Sequence, residues 1–306
     1  MVTFSEDRWP FTTEPGLQAR SIKMGFRKIA RAHLLCKEEY MRYVIDHDLH
    51  IHSYLSSCSR DPEQTAERIL AYAENNGLKN ICITDHLWDS SVDGASKWYM
   101  PQNIDHISEI LPLPQSDKVK FHFGCETDLD KHMTLGLSKE NFDKFDFIII
   151  PFTHLHMTGF TIDEDKLNRE GRREAYISRF KGILSMDLPF RKTGIAHPTC
   201  SLIAREDWQE HIAIIDSISD DDFMEIFDTA AEKGVGIELN FAYEKYEKND
   251  LERILRPYRI AKARGCKFYF GSDAHHPSSL DAAKHRFECI VDALELTEDD
   301  KFRPFE

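Results

Sequence analysis

The chain has 306 residues, 41% of them hydrophobic, with a formal net charge of −14, 15 histidines and seven cysteines. That length allows one large domain or two small ones. No apolar run approaches the roughly 20 residues that cross a bilayer, and an acidic chain without a basic stripe makes long nucleic acid a poor partner. The opening residues MVTFSEDRWPFTTEPG show no basic stretch followed by an apolar one, and no CxxC pair occurs, so reduced thiols and a cytoplasmic location are expected.

Residues 1 to about 43 precede any regular pattern. Basic and apolar residues from Gln18 to Leu35 predict a helical extension packed on a single domain, 44–306. Tyr43 to Ile51 reads as the first strand. Asp61 and Pro62 look like an N-cap and first helical position, Ala66, Ile69, Leu70 and Ala73 follow at helical spacing, and Gly77 suits a stop. Six more strands are expected at Asn80 to Thr84, Val119 to Gly124, Phe145 to Pro151, Thr193 to Ala196, Gly236 to Asn240 and Lys267 to Ser272. The clearest helices between them are Asp222 to Lys233, Leu251 to Arg264 and Leu280 to Leu294, with Gly234 and Gly265 at two helix stops. Strand–helix alternation implies an α/β fold with a mostly parallel sheet, and seven units suggest a closed or nearly closed (βα)7 TIM-like barrel; an open doubly wound sheet is the alternative.

The chemistry gathers at the strand ends. The first strand ends in Asp48-Leu49-His50-Ile51-His52, and residues two apart on a strand share a face, so His50 and His52 can meet one ion. Later strands end in Thr84-Asp85-His86, Gly124-Cys125-Glu126-Thr127-Asp128, Thr153-His154-Leu155-His156, Ala196-His197-Pro198, Glu238-Leu239-Asn240 and Gly271-Ser272-Asp273-Ala274-His275. An isolated HxH would be a chance pair, but nearly every strand delivers a His, Asp or Glu just past its end. In a βα barrel those ends converge on one mouth. Imidazole and carboxylate suit Zn, Mn and Fe ions. No GxGxxG after a strand, GxxxxGK[ST] or GxSxG is present, so dinucleotide, nucleotide-kinase and serine-hydrolase readings lose ground.

At DLHIHS 48–53, ITDH 83–86, GCE 124–126, THLH 153–156, AHP 196–198 and GSDAH 271–275 the chain closely resembles the polymerase-and-histidinol-phosphatase (PHP) family, in the family's order. The resemblance implies a distorted seven-unit barrel holding two or three divalent ions (Zn, Mn or Fe). It also implies hydrolysis of a small phosphorylated substrate by a metal-bridged hydroxide, as in a histidinol-phosphatase-like or nucleotide phosphatase. Carried over, His50, His52, Glu126 and Asp273 look like one ion's ligands. Glu126 bridges to a second ion held by His154 and His197, and His86 and His275 belong to a third. Asp48 and Asp85 look like groups orienting imidazoles. Many relatives carry a His where this chain has Cys58. Its thiolate could replace the imidazole and favour Zn, or Cys58 could be a spectator.

His156 exceeds the family's single His at this stretch; His156 and His275 are candidate proton donors. Lys97, Lys131, Arg172 and Arg173 are candidate phosphate anchors. His33, His106, His122, His132, His211 and His285 read as structural, His47 faces the helix layer, His276 is a loop residue, and Cys82 and Cys125 are core. Trp88, Trp98 and Tyr99 either line a pocket or pack their loop. Two rival functions remain, an amidohydrolase-type C–N hydrolase and an inactive barrel serving as a binding module.

Overall fold

The computed structural model describes residues 41–59 and 61–306. The expected helix between Gln18 and Leu35, and His33, lie outside the described residues. Arg42–Glu306 forms one compact unit.

In chain order the elements are β1 (His47–Ile51), α1 (Ala66–Asn76), β2 (Asn80–Ile83), β3 (His86–Leu87), α2 (Ile104–Ile107), β4 (Lys120–Thr127), β5 (Phe147–Pro151), α3 (Arg169–Ser185), β6 (Thr193–Ala196), α4 (Trp208–Ser217), α5 (Asp220–Lys233), β7 (Gly236–Leu239), α6 (Lys248–Ala263), β8 (Lys267–Phe270), α7 (Pro277–Asp281) and α8 (Ala283–Leu294), with short 3-10 turns between. The sheet runs β1-β2-β4-β5-β6-β7-β8, and β3 continues the line of β2 against β4. Every strand pairing is parallel. The ends meet where Ile51 bridges Ala274 in parallel; the Asp273 N–H donates to the His50 carbonyl at 2.8 Å and the His52 N–H to the Ala274 carbonyl at 3.1 Å. Seven staves therefore make a nearly closed barrel, and the doubly wound alternative is excluded. Among the described residues no helix is long and apolar enough to cross a membrane.

Two apolar layers follow from strand alternation. Leu49, Cys82, Phe147, Ile149, Ala196, Tyr269 and Phe302 fill the barrel interior, while neighbours such as Ile148, Ile150, Ile195 and Ile237 pack outward against the helices. Gly194 leaves room for Tyr269, whose hydroxyl a Cβ there would strike. The register of β1 on β2 shifts between Asp48 and Ile51. This bulge lets Leu49 face the interior and still turns His50 inward, toward the carboxylates of β4 and β7.

Several boundaries differ from expectation. Helix α1 is capped by Thr65, whose side chain accepts from the Arg68 N–H, and not by Asp61. Asp61 instead accepts from the Glu63 N–H within a turn. Strand β4 runs on to Thr127, because β5 pairs with its Gly124–Glu126 segment. The last expected helix breaks at Ala282 into α7 and α8.

Candidate metal centre

Six of the expected donors, contributed by residues spread from 50 to 273, surround one point at the barrel mouth. The Glu126 carboxylate lies at its middle. Its Oε2 is 3.3 Å from both His50 Nε2 and His52 Nε2 and 3.0 Å from His86 Nδ1. Its Oε1 is 3.4 Å from His197 Nε2 and 3.9 Å from His154 Nε2. Asp273 Oδ1 is 3.1 Å from His52 Nε2 and 3.5 Å from His50 Nε2. Donor atoms able to hold an ion fall into three groups: His50, His52 and Glu126; Glu126, His154 and His197; and His52, Cys58, His86 and His275.

The donor chemistry fits divalent transition ions. Glu126 Oε2 and His86 Nδ1 are close together, yet both are buried without a hydrogen-bond partner. Orphaned buried polar atoms are costly, and two of them where the donor groups meet are what metal ligands present. Backbone strain sits here too: His197 has φ +27° and Asp273 φ +53°, a region that non-glycine residues enter at a cost of roughly 1–3 kcal/mol each. Bonds from the two backbone N–H groups, to Glu238 Oε2 at 2.6 Å and to the His50 carbonyl at 2.8 Å, hold these conformations.

Four imidazoles share one orientation logic. His50 Nδ1 donates to Glu238 Oε1 at 2.7 Å, His154 Nδ1 to Asp128 Oδ2 at 2.8 Å, His52 Nδ1 to Ser56 Oγ at 3.0 Å and His197 Nδ1 to Thr153 Oγ1 at 2.9 Å. With the proton on Nδ1, each Nε2 lone pair faces the centre, the usual arrangement for a metal-binding histidine. Asp128 is itself held by Arg179 Nη2 at 3.3 Å and by the Tyr99 hydroxyl at 3.1 Å.

The orienting groups differ in part from those expected. Asp48 touches no imidazole: it accepts from the Ser272 N–H, the His50 N–H and the Tyr72 hydroxyl. It thus braces β1 against the segment after β8, and burial pushes its carboxyl up to about 6 despite those bonds. Asp85 binds the Ser53 N–H and hydroxyl and the Ser56 hydroxyl, so it reaches His52 through Ser56. Glu238, Asp128, Thr153 and Arg179 received no role from sequence. Glu238 and Asp128 were visible as acids at strand ends, but nothing in the sequence says which imidazole each meets.

Charge coupling is strong. Burial alone would raise the Glu126 carboxyl, but the imidazoles packed around it, His86 and His50 foremost, hold it well below the usual range. His156 and His275 are both lowered to about 4, chiefly by burial and then by the charge of a neighbouring histidine. Both imidazoles are therefore neutral near pH 7. This argues against either as an imidazolium proton donor, and His275 joins the donor group of His52, Cys58 and His86.

A cavity of about 770 Å³ opens over the centre, and its wall includes Cys58, Lys97, Trp98, His156, Arg205 and His276. Of the four expected phosphate anchors only Lys97 lines it. Lys131 lies at a separate cavity and pairs with Asp163 at 2.6 Å. Arg172 is buried and spent on Glu206 and the carbonyls of Ile203 and Leu167. Arg173 pairs with Glu170 at 2.8 Å along its own helix. All three sit around helix α3, whose lateral packing the strand-end pattern does not reveal. Arg205, not singled out in sequence, does line the cavity. Trp88 is buried and packs its loop, whereas Trp98 lines the cavity.

Other histidines have structural partners. His47 bonds Asp46 and accepts the Phe270 N–H, His106 meets the Leu55 carbonyl, His122 stacks on Phe305, and His276 at the rim pairs with Asp61.

Comparison with known proteins agrees with this architecture. The PHP domain model matches residues 48–242. No curated protein matches the chain significantly in sequence. Among solved structures, histidinol phosphate phosphatase from Lactococcus lactis subsp. lactis Il1403, complexed with Zn, L-histidinol and phosphate, superposes with a TM-score of 0.52 at 18% identity, covering 84% of this chain and 98% of that one. It shares the fold. A probable 2-pyrone-4,6-dicarboxylic acid hydrolase from Acinetobacter baumannii overlaps more loosely, with a TM-score of 0.41 at 12% identity over 84% of this chain and 97% of that one. A chain of an archaeal ribonuclease P complex with mature tRNA gives a TM-score of 0.36 at 15% identity, over 81% of this chain and 91% of that one. With the domain match spanning well over half its length and His/Glu clusters able to hold metal at the mouth of its barrel, the chain belongs to the PHP family of metal-dependent hydrolases.

Proposed function

We propose that this protein hydrolyses a small phosphomonoester, using two or three divalent transition ions held by His50, His52, Cys58, His86, Glu126, His154, His197, Asp273 and His275. The observation that carries the reading is the split use of Glu126, one oxygen turned to His50, His52 and His86 and the other to His154 and His197. When bound, such ions supply an activated water and polarise the phosphoryl oxygens.

The protein's own contribution is to aim and to neutralise. Glu238, Asp128, Ser56 and Thr153 fix four imidazoles as Nε2 donors. Lys97 and Arg205 are cations of the cavity wall without an ion-pair partner among the described residues, and they can attract and orient an anionic group. His156 also lines the cavity, and its buried Nδ1 has no hydrogen-bond partner; a neutral ring nitrogen there can exchange a hydrogen bond with the leaving oxygen.

The test is a release assay with Mn, Fe and Zn supplied separately, offering metabolite phosphomonoesters, an aryl phosphate and a panel of cyclic amides. Phosphate release is the expected outcome. Turnover of amides alone would move the site to C–N hydrolysis, and no turnover with no retained metal would leave a binding module.

A further inference from the structure

Cys58 is held at the metal centre by its neighbours in the chain. The Ser57 N–H donates to the Gln102 side-chain oxygen at 2.9 Å, the Ser59 hydroxyl to the His275 carbonyl at 2.7 Å and the Ser59 N–H to the Ser56 carbonyl at 2.9 Å. The Ser56 hydroxyl is fixed in turn by Asp85. This turn is pinned to the loop after β3 and to the segment after β8, so Cys58 needs no rearrangement to meet the imidazoles. One donor atom each from Cys58, His52, His86 and His275 lies within 4.8 Å of the others. His86 is 6% exposed and its Nδ1 has no hydrogen-bond partner, so the group carries a nitrogen that an ion would satisfy. Cys82, Cys125 and Cys266 are buried, whereas Cys58 is exposed and lines the cavity over the centre.

We propose that Cys58 is an oxidation site: hydrogen peroxide entering the cavity oxidises its sulfur, and the ion shared with His52, His86 and His275 is released. This rests on Cys58 being an ion ligand, as in the functional reading above, and not on which bond the ions help to cleave. A sulfur that coordinates a divalent ion does so as thiolate, the form that peroxides oxidise, and susceptibility also follows access. In the step itself an S–O bond forms as the O–O bond breaks. Sulfur gives up two electrons, and the departing hydroxide takes a proton from solvent and leaves as water. The sulfenic acid that results has lost the anionic sulfur that held the ion. Three imidazoles remain, and His52 also belongs to the group of His50 and Glu126, so this ion is poorly placed to lose a donor. A dithiol reduces the sulfenic acid to the thiol, with water and a disulfide as the other products, so the loss is reversible.

Zinc isolates the sulfur chemistry, because the ion has no redox chemistry of its own. Zinc-loaded protein treated with hydrogen peroxide should pass about one zinc ion per chain to a chromophoric chelator. Release should keep step with the gain of oxygen on the Cys58 peptide, followed by mass spectrometry. Dithiothreitol added early should restore the thiol and, with zinc supplied, the lost ion. Cys58→His replaces the sulfur by a nitrogen donor and should keep its zinc through the same exposure. Oxidation of Cys58 with all zinc retained, zinc release while Cys58 stays unmodified, or release from Cys58→His at the wild-type rate would overturn the proposal. If the histidine variant fails to load, the wild-type time course decides alone. Phosphate release is scored separately. Zinc that stays bound after Cys58 is oxidised strikes this inference and leaves the phosphoester reading standing, whereas a protein that binds no zinc before peroxide strikes both.

Discussion

Glu238→Gln is the sharpest probe of how the centre is aimed. The buried carboxylate accepts two N–H groups, His50 Nδ1–H at 2.7 Å and the backbone N–H of His197 at 2.6 Å. Glutamine has one acceptor oxygen and an NH2 of nearly the same shape. The backbone N–H cannot change role, so the amide oxygen must stay on His197 and the NH2 must face His50. Imidazole can adapt by moving its proton to Nε2, which then points at Glu126 and His52 in place of a lone pair. All hydrogen bonds remain satisfied, so the fold should lose little, but His50 stops being a ligand. Disturbing the partner of a metal-binding histidine costs typically tenfold to a hundredfold in metal affinity, about 1.4–2.7 kcal/mol. Competition against a calibrated chelator measures the affinity, and thermal unfolding after metal removal measures the fold. Wild-type affinity in the variant would refute the tautomer argument, as would equal losses of affinity and of metal-free stability.

Cys58→Ser in the cobalt-substituted protein should abolish a near-ultraviolet thiolate-to-cobalt band and lower the ion content; if the wild type shows no such band, Cys58 is a spectator. Arg179→Ala strips hydrogen bonds from the carbonyls of Phe152, Asp130, Leu129 and Thr161 and leaves Asp128 buried without its cation. It should cost about 3–5 kcal/mol in denaturant unfolding, and a loss below about 1 kcal/mol would show that this clamp is slack. At Asp46 burial favours the neutral acid, but His47 and Lys301 prevail and hold the carboxyl near 2, below its unfolded value of about 3.9. A depressed carboxyl contributes stability above its unfolded pKa and loses it as pH falls through the folded one. The difference in Tm between wild type and Asp46→Asn should therefore shrink from pH 4 to pH 2, and a constant difference would contradict the assignment.

The strand ends were legible because a barrel converts linear order into convergence. Each of His50, His52, His86, Glu126, His154, His197 and Asp273 lies at or just past a strand, so its position along the chain fixes which end of the barrel it occupies. Pairings between staves were not legible. That Glu238 meets His50, Asp128 meets His154 and Asp48 meets only backbone and Tyr72 depends on lateral contacts between segments 24 to 224 residues apart. The anchors show the same limit. Arg172 and Arg173 are basic and near a loop, but helix α3 commits them to Glu206 and Glu170. Arg205 and Lys97 reach the cavity from loops after β6 and β3, without a pattern of their own. The α1 cap moved from Asp61 to Thr65 because two plausible capping residues stood four apart, and local sequence does not rank them.

The central claim is that Glu126 joins two ions on which phosphomonoester hydrolysis depends. Metal analysis and phosphate release measured together on wild type and Glu126→Gln test it most directly. The account predicts at least two equivalents of transition metal and metal-dependent phosphate release in the wild type, with reduced metal content and loss of release in the variant. Full metal content with undiminished phosphate release in Glu126→Gln would contradict it.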